Sequence, residues 1–131
     1  MNDINAGLFS ALSSGTALIG LLGGTAIYHL QAPDDKDLPY VVYSWQGGGR
    51  TGEVRNLTDQ LEFIRAYGTT AYQAGAIDAA ITTLLDNVAV SVSGWTTCLL
   101  HRQDDFESIE TLPNGEKVYA MGGFYRVVID K

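Results

Sequence analysis

One short strand limits the architectures open to this sequence. The residues YVVYSW, Tyr40 to Trp45, have the β-branched and aromatic composition of a strand. Side chains alternate between the two faces of a strand, and here both faces are apolar: one carries Tyr40 and Val42, the other Val41, Tyr43 and Trp45. Such a strand is central in a sheet, or a partner covers its second face. We therefore expect a sheet that needs apolar cover on both sides.

The N-terminal segment predicts an amphipathic helix. Apolar residues recur at four-residue spacing from Ile4 to Leu12, and Asp3 can cap the helix start. Gly15 weakens the middle of this helix. Gly23-Gly24 should end it, because glycine tolerates the left-handed conformation of a helix stop.

A second helix is the clearest element of the sequence. The stretch TTAYQAGAIDAAITTLLDNV follows a cap at Thr69 or Thr70. Its apolar residues form one stripe. The stripe consists of Ile77, Ala80, Ile81, Leu84, Leu85 and Val88.

Five segments are predicted as strands. The region before Gly68 also fits a helix, but Phe63, Ile64 and Tyr67 favour a strand. The five are Thr25 to Leu30, Tyr40 to Trp45, about Leu61 to Tyr67, GWTTCLLHR (94–102) and VYAMGGFYRVVID (118–130). The order α-β-β-β-α-β-β predicts an α+β fold, with two helices packed on one face of a mostly antiparallel sheet. The length of 131 residues predicts a single domain, 1–131.

The polar segments are predicted as loops that carry solvated charge. QAPDDKDLP closes on two prolines, and DDFESIETLPNGEK contains a turn at Asn114-Gly115. Their carboxylates could in principle serve a glycosidase or calcium, but no twelve-residue calcium loop is present. Gly122-Gly123 suggests a bulge or kink within the last strand. The carboxylates are Asp34, Asp35, Asp104, Asp105, Glu107 and Glu110.

Charge and cysteine content narrow the class of protein. Acidic residues outnumber basic ones by 15 to 8, for a net charge of −7, which argues against wrapping nucleic acid but allows DNA to slide past. The single Cys98 favours a reducing compartment. The N-terminus lacks the basic start of a signal peptide, and no apolar run reaches the ~20 residues that span a bilayer. We expect a protein made in the cytoplasm.

The stretch WQGGGRTGEVR spells G-x-G-x-x-G with Gly47, Gly49 and Gly52. In a dinucleotide-binding turn a helix starts at the third glycine, and an acid follows about 20 residues later. Glu53 stands where the anion would sit, and the best helix starts where that acid should be. We interpret the stretch as a flexible connection between two strands.

Two other patterns carry no predicted chemistry. Cys98 and His101 are three apart on one strand and point to opposite faces, so they form no nucleophile–base pair. The two histidines lack metal-ligand spacing. Neither catalytic, cofactor-binding nor metal-binding residues are therefore predicted.

Ten of the thirteen aromatic residues fall on predicted strands. Most should be core, yet two helices cover only one face of a sheet. The surplus indicates either subunit contact or a thicker core, and both interpretations stay open. The residues are Tyr28, Tyr40, Tyr43, Trp45, Phe63, Tyr67, Trp95, Tyr119, Phe124 and Tyr125.

The order of these segments resembles a known family. Gly23-Gly24, Ile27-Tyr28, Ala32-Pro33 and the run Pro39 to Tyr43 are similar to the start of the tail-completion, or tail terminator, family of long-tailed (siphovirus-type) bacteriophages. AYGTTAYQAGAIDAAITTLLDN resembles the family's strand and following helix, and EKVYAMGGFYRVVID its final strand. The charged RTGEVRNLTDQ and the paired glycines of the last strand depart from the pattern.

The resemblance implies a virion structural protein without a reaction or a cofactor. Such a protein forms a ring, typically a hexamer, that caps the tail tube, stops its polymerisation and joins the tail to the head connector. The resemblance also implies that the isolated chain can be a monomer, because many such proteins stay monomeric until they meet their partner. DNA passes through the lumen. A neck or head-completion protein is the alternative, and a small nucleotide-binding enzyme a distant third.

We place a candidate assembly interface at the glycine-rich stretch. Arg50 and Arg55 are two of only eight basic residues and flank Glu53, and Trp45 precedes them. These four residues are expected to order against a neighbouring subunit or the tube end.

Overall fold

The computed structural model describes residues 2–34, 36–50, 57–95 and 97–130. Within them lie three helices and six strands. The helices are α1 (Asn2–Ser13), α2 (Thr16–Leu22) and α3 (Ala71–Leu85). The strands are β1 (Ile27–His29), β2 (Tyr40–Arg50), β3 (Leu57–Gly68), β4 (Val88–Ala89), β5 (Thr97–Thr111) and β6 (Lys117–Asp130).

The strands form one sheet in the order β1-β2-β3-β6-β5-β4. β1 pairs parallel with β2, and all other neighbours are antiparallel. The predicted α+β class is confirmed. The order differs from the prediction, because the first helix is two helices and the short β4 follows α3.

The predicted N-terminal helix breaks at Gly15. This residue is extended, with φ −78° and ψ 103°, and α1 and α2 meet at an angle of 81°. Asp3 lies in the first turn of α1 rather than before it, where its carboxylate accepts the Ile4 N–H at 3.0 Å. The predicted stop is confirmed, since Gly23 adopts φ 74° at the end of α2.

Helix α3 begins as its sequence predicts. The Thr70 hydroxyl accepts the Gln73 N–H at 3.0 Å, and the Gln73 side chain accepts the Thr69 N–H at 2.8 Å. These bonds satisfy amide groups that a helix start leaves without partners. Ile77, Ile81 and Leu85 are fully buried along one stripe.

The core lies between the helices and one face of the sheet. Helix α1 contributes Ile4, Leu8 and Leu12, all at most 1% exposed. Alternate strand residues complete the core from the sheet side: Val41, Tyr43, Ile64, Ala66, Leu100, Tyr125, Val127 and Ile129. The helices therefore cover one face, as predicted.

Two strands run further than their composition predicts. β2 continues through Gly47–Gly49, which pair with Leu61, Gln60 and Asp59 of β3. β5 continues to Thr111 along β6. The predicted glycine loop and the polar connection after Arg102 are thus wrong over these residues, because a long neighbouring strand supplies backbone partners whatever the side chains are.

The hairpin turn between β5 and β6 is confirmed. Gly115 has φ +88°, the Asn114 side chain accepts the Glu116 N–H at 3.0 Å, and the Leu112 N–H donates to the Glu116 carbonyl at 2.7 Å. The expected bulge lies not at Gly122-Gly123 but opposite, where the β5 register shifts between Arg102 and Asp104.

The outermost strands are very short. β1 pairs with β2 only over Val41–Tyr43, and β4 pairs with β5 only over Leu99 and Leu100. Among the described residues, no strand pairs with the outer edge of β2 beyond Tyr43 or of β5 beyond Leu100. No described helix is long and apolar enough to cross a membrane alone; α1 and α2 pass that test only as a bent pair.

Candidate functional site

Of the four predicted interface residues, Trp45 lies in the middle of β2 and Arg50 at its end. Trp45 is half-buried and pairs with Glu62 of β3. Arg50 is the last residue of β2 and pairs with Thr58. Glu53 and Arg55 lie outside the described residues. The structure therefore places Trp45 and Arg50 on the same strand, on opposite sides of the register shift between Trp45 and Gly47.

The glycine motif has strand geometry where it is described. Gly47 and Gly49 pair antiparallel with β3, and the next described element is that strand and not a helix. Gly52 lies outside the described residues. A dinucleotide turn needs the N-terminus of a helix beside the pyrophosphate, and β3 cannot supply one.

Cys98 and His101 face opposite sides of β5, as predicted. Cys98 is buried, and burial raises its pKa to about 11, so its thiol stays protonated at neutral pH. His101 is exposed, with Nδ1 at 2.9 Å from the Asn87 side-chain oxygen and 3.6 Å from Asp86. Neither arrangement activates a nucleophile.

The predicted loop carboxylates of the second polar segment lie on β5 instead. Asp104, Asp105, Glu107 and Glu110 are all exposed. Asp34 lies in a turn after β1, and Asp35 lies outside the described residues. No group of three or more Cys, His, Asp or Glu side chains in the described part of the chain is placed to hold a metal ion.

Arg102 holds the sheet to α3. Its guanidinium binds Asp78 through two bonds of 2.8 and 3.0 Å and donates to the Thr82 hydroxyl at 2.8 Å. It also donates to the Gly122 carbonyl at 2.7 Å and to Asp105 at 2.9 Å. The bonds to Asp78 raise the pKa of Arg102 above its usual value. The cluster is a structural clamp with its donors fully used.

The paired glycines of β6 make room for two neighbours: Gly123 for the Arg102 clamp and Gly122 for the backbone of β3. A Cβ on Gly123 would come within 2.7 Å of the Arg102 Nε, and a Cβ on Gly122 would meet the Ile64 carbonyl oxygen. The glycine pair is visible in the sequence, but the groups that it accommodates are not. The available signal was the one arginine in the predicted strand GWTTCLLHR.

Glu62 is a buried carboxyl group without a hydrogen-bond partner in the described part of the chain. It is 0% exposed, and neither carboxyl oxygen has a hydrogen bond within the described residues. Burial raises its pKa to about 7. On the same strand the Gln60 side-chain oxygen is buried and unpartnered too. These groups lie beside Trp45 on the helix-facing side of the sheet.

The opposite face of the sheet carries an aromatic cluster. Phe63 stacks on Phe124 at 4.4 Å and meets Phe106 edge-on at 4.8 Å. The Arg65 guanidinium lies 4.4 Å from the Phe63 ring, a cation–π contact. Phe63 is only 8% exposed, so part of the aromatic surplus forms a second, thin core on this face.

The fold and these contacts define a small α+β protein with a clamp between sheet and helix, aromatic cover on its second face and two strand edges left open. No family model matches the sequence, and no curated protein matches it either. The fold is nevertheless shared with solved structures. One is a chain of the virion of a native gene transfer agent particle, with TM-score 0.64 and 17% identity, covering 96% of this chain and 93% of that one. Another, whose name states no function, has TM-score 0.67 and 10% identity, covering 99% and 95%.

Proposed function

We propose that this chain is a structural protein of a phage-type particle. In this role it forms a ring that caps the tail tube, stops tube growth and joins the tail to the head connector. The observation that carries the proposal is the likeness, over nearly the whole of both chains, to a virion chain of a gene transfer agent particle. The sequence resemblance to tail terminators supplies the finer role.

The chemistry of the described residues supports a structural role. The buried Cys98 thiol is held protonated, and the Arg102 clamp uses its donors within the fold. We assign neither a reaction nor a cofactor. The net charge of −7 suits a ring whose lumen lets DNA pass without binding it. The proposed location is the head-proximal end of the tail, after assembly in the host cytoplasm.

Tube growth in the presence of the protein tests this function. Tail-tube protein from the same genome is polymerised with and without the chain, and tube lengths are measured by electron microscopy. We expect shorter tubes of uniform length, with a ring at one end. Unchanged tubes, with the protein unbound and monomeric, would refute the proposal.

Labelled protein in intact particles separates this role from the alternative. A gold label at the tail end that meets the head supports the tail terminator. A label that stays on tailless capsids identifies a neck or head-completion protein. Calorimetry with dinucleotides tests the enzyme alternative. A nucleotide-binding enzyme would give a heat of binding, and we expect none.

A further inference from the structure

Both sides of the sheet have an unpaired strand edge. In the described residues, β2 is unpaired on its outer side from Ser44 to Arg50, and β5 from Gln103 to Thr111. β1 covers only the start of β2, and β4 only the start of β5. Two long edges are thus open to another backbone, one on each side of the sheet.

Hydrogen bonds at the two ends of the open part of β5 show which of its backbone N–H groups point away from β6. The Arg102 N–H donates to Asp86, away from β6, at 2.8 Å, whereas the Leu112 N–H donates towards β6 at 2.7 Å. Directions alternate along an antiparallel strand, and the register shift between Arg102 and Asp104 reverses this alternation. Counted back from the inward N–H of Leu112, the N–H groups of Asp105, Glu107 and Ile109 therefore point outward. All three residues are exposed.

The same alternation applies to β2. Val41 donates outward to Ala26 at 2.9 Å, and the Tyr43 carbonyl accepts from Leu30 at 3.0 Å. Beyond the register shift after Trp45, the outward groups are those of Gly48 and Arg50. Glycine in a strand lets another backbone approach closely. This gives Gly47–Gly49 a reason to be glycine.

We propose that copies of this chain associate by strand addition, the β5 edge of one copy pairing with the β2 edge of the next. The inference rests on the proposed ring and names its contact. β2 and β5 run in opposite directions within the sheet, so copies related by a ring axis bring these edges together antiparallel. The two open edges differ, and the contact is therefore head to tail.

Charge favours this pairing over the pairing of two β5 edges. The open part of β5 carries Asp104, Asp105, Glu107 and Glu110, while that of β2 ends in Arg50 and contains no acid. Like charges disfavour β5 against β5, and opposite charges favour β5 against β2. The open part of β2 and the open part of β5 lie at opposite ends of the sheet. To bring them side by side, neighbouring copies must be shifted along the strand direction. The strands are therefore inclined to the ring axis, as they are in a barrel.

Proline at an outward N–H tests the pairing in the full chain. Glu107→Pro removes an outward donor of β5 and leaves its bonds to β6, and Gly48→Pro does the same for β2. Glu107→Ala and Gly48→Ala are the matched controls. By light scattering, each proline variant alone should have the monomer mass of 14.1 kDa, while the wild type and both alanine variants form the larger oligomer.

A mixture of the two proline variants gives the sharpest result. Each retains the edge that the other lacks, so the mixture should stop at a heterodimer of twice the 14.1 kDa mass. Circular dichroism checks the fold, and Ile109→Pro replaces Glu107→Pro if that variant is unfolded. A Gly48→Pro variant that dimerises alone overturns the inference, as does a full oligomer in both proline variants.

The outcome separates this inference from the proposed function. If wild-type rings cap tubes and the proline variants still form rings, strand addition is wrong and the function stands. If the heterodimer forms but rings ignore tube ends, strand addition holds and the tail role fails. Wild-type protein that is monomeric at every concentration, with and without tubes, refutes both.

Discussion

Arg102 ties β5 to α3 through Asp78, and this pair lies mostly out of solvent, with side chains 14% and 17% exposed. Replacement by Met leaves the Asp78 carboxylate without its partner. Breaking a fully buried pair costs ~3–5 kcal/mol, and the residual exposure here reduces the expected loss to roughly 2–3 kcal/mol. Urea unfolding of Arg102→Met measures it.

The control for this prediction is the double variant. Arg102→Met with Asp78→Leu removes both charges, so its loss should be smaller than the sum of the two single losses. Arg102→Lys should recover little, because an ammonium group cannot form the two-pronged bond to the carboxylate. Strictly additive losses would mean that the ion pair contributes nothing.

Glu62 makes stability depend on pH. Its pKa is about 7 in the folded protein and 4.5 ordinarily, so the folded state holds the proton more tightly than the unfolded state. The free energy of unfolding therefore falls as pH rises from 4.5 to 7 and stays low above that range. At ~1.4 kcal/mol per pKa unit, the loss is on the order of 3 kcal/mol.

Glu62→Gln should remove this part of the pH dependence. It keeps the shape of the side chain without its charge, so it should be the more stable protein at pH 8 and nearly equal to the wild type at pH 4.5. Denaturant titrations at both pH values measure the difference. Glu107→Gln, at an exposed acid, is the control and should follow the wild type. If the free energy of unfolding changed equally with pH in all three proteins, Glu62 would not be the source of the pH dependence.

The sequence predicted single residues well where the chemistry is local. The opposite faces of Cys98 and His101 follow from alternation along one strand. The Arg102 clamp and the buried Glu62 did not follow, because Asp78 and Thr82 reach Arg102 only after the chain has folded. Glu62 sits in a strand whose alternation was itself ambiguous, so its face was unknown.

The break between helices α1 and α2 at Gly15 depends on packing against α3 as well as on the conformational freedom of glycine. A Cβ on Gly15 would meet the Leu84 side chain of α3, whereas a Cβ on Gly20 in α2 would meet nothing within 4 Å. Gly15→Ala should therefore destabilise the protein by ~1–3 kcal/mol, the usual cost of overpacking. Gly20→Ala should stabilise it by up to ~1 kcal/mol through helix propensity.

Thermal unfolding of the two alanine variants decides the matter, since the substitution is the same and only the surroundings differ. Stabilisation in both would mean that Leu84 moves aside without cost. The break itself was only half visible in the sequence: Gly15 marked a weak point, but the close approach of α3 is a tertiary effect.

The predicted ends of strands were wrong where the amino-acid composition disfavours a strand but a neighbouring strand offers backbone hydrogen bonds. Three glycines and a run of acids have low strand propensity, and both were expected to be loops. β3 and β6 are long and present a continuous ladder, so β2 and β5 extend along them. The existence of these strands was predictable, and their length was not.

At the scale of the whole molecule, the fold class followed from the grouping of strands around two helical patterns. Apolar strand faces correctly indicated cover on both sides of the sheet. One side is covered by the helices and the other partly by the cluster of Phe63, Phe106 and Phe124. The open edges became visible only with the strand order, which no local pattern encodes.

Assembly through an acidic and a basic edge should depend on salt. Replacing Arg50 and Arg55 with Ala removes two basic residues at and after the end of β2 in the sequence. Exposed ion pairs contribute ~0.2–1 kcal/mol each, so the dissociation constant of the oligomer should rise roughly tenfold. Sedimentation velocity at low ionic strength measures this change.

Ionic strength supplies the internal control for this last prediction. Screening lengths shorten from ~10 Å at 0.1 M salt to ~3 Å at 1 M, so wild type and variant should converge as salt is added. Lys36→Ala removes one basic residue outside β2, as Arg50→Ala removes one within it, so it is the charge control for the single arginine variant and should leave the dissociation constant unchanged. An arginine variant that assembles normally at low salt would remove Arg50 and Arg55 from the interface, and one that unfolds would show that they serve the fold instead.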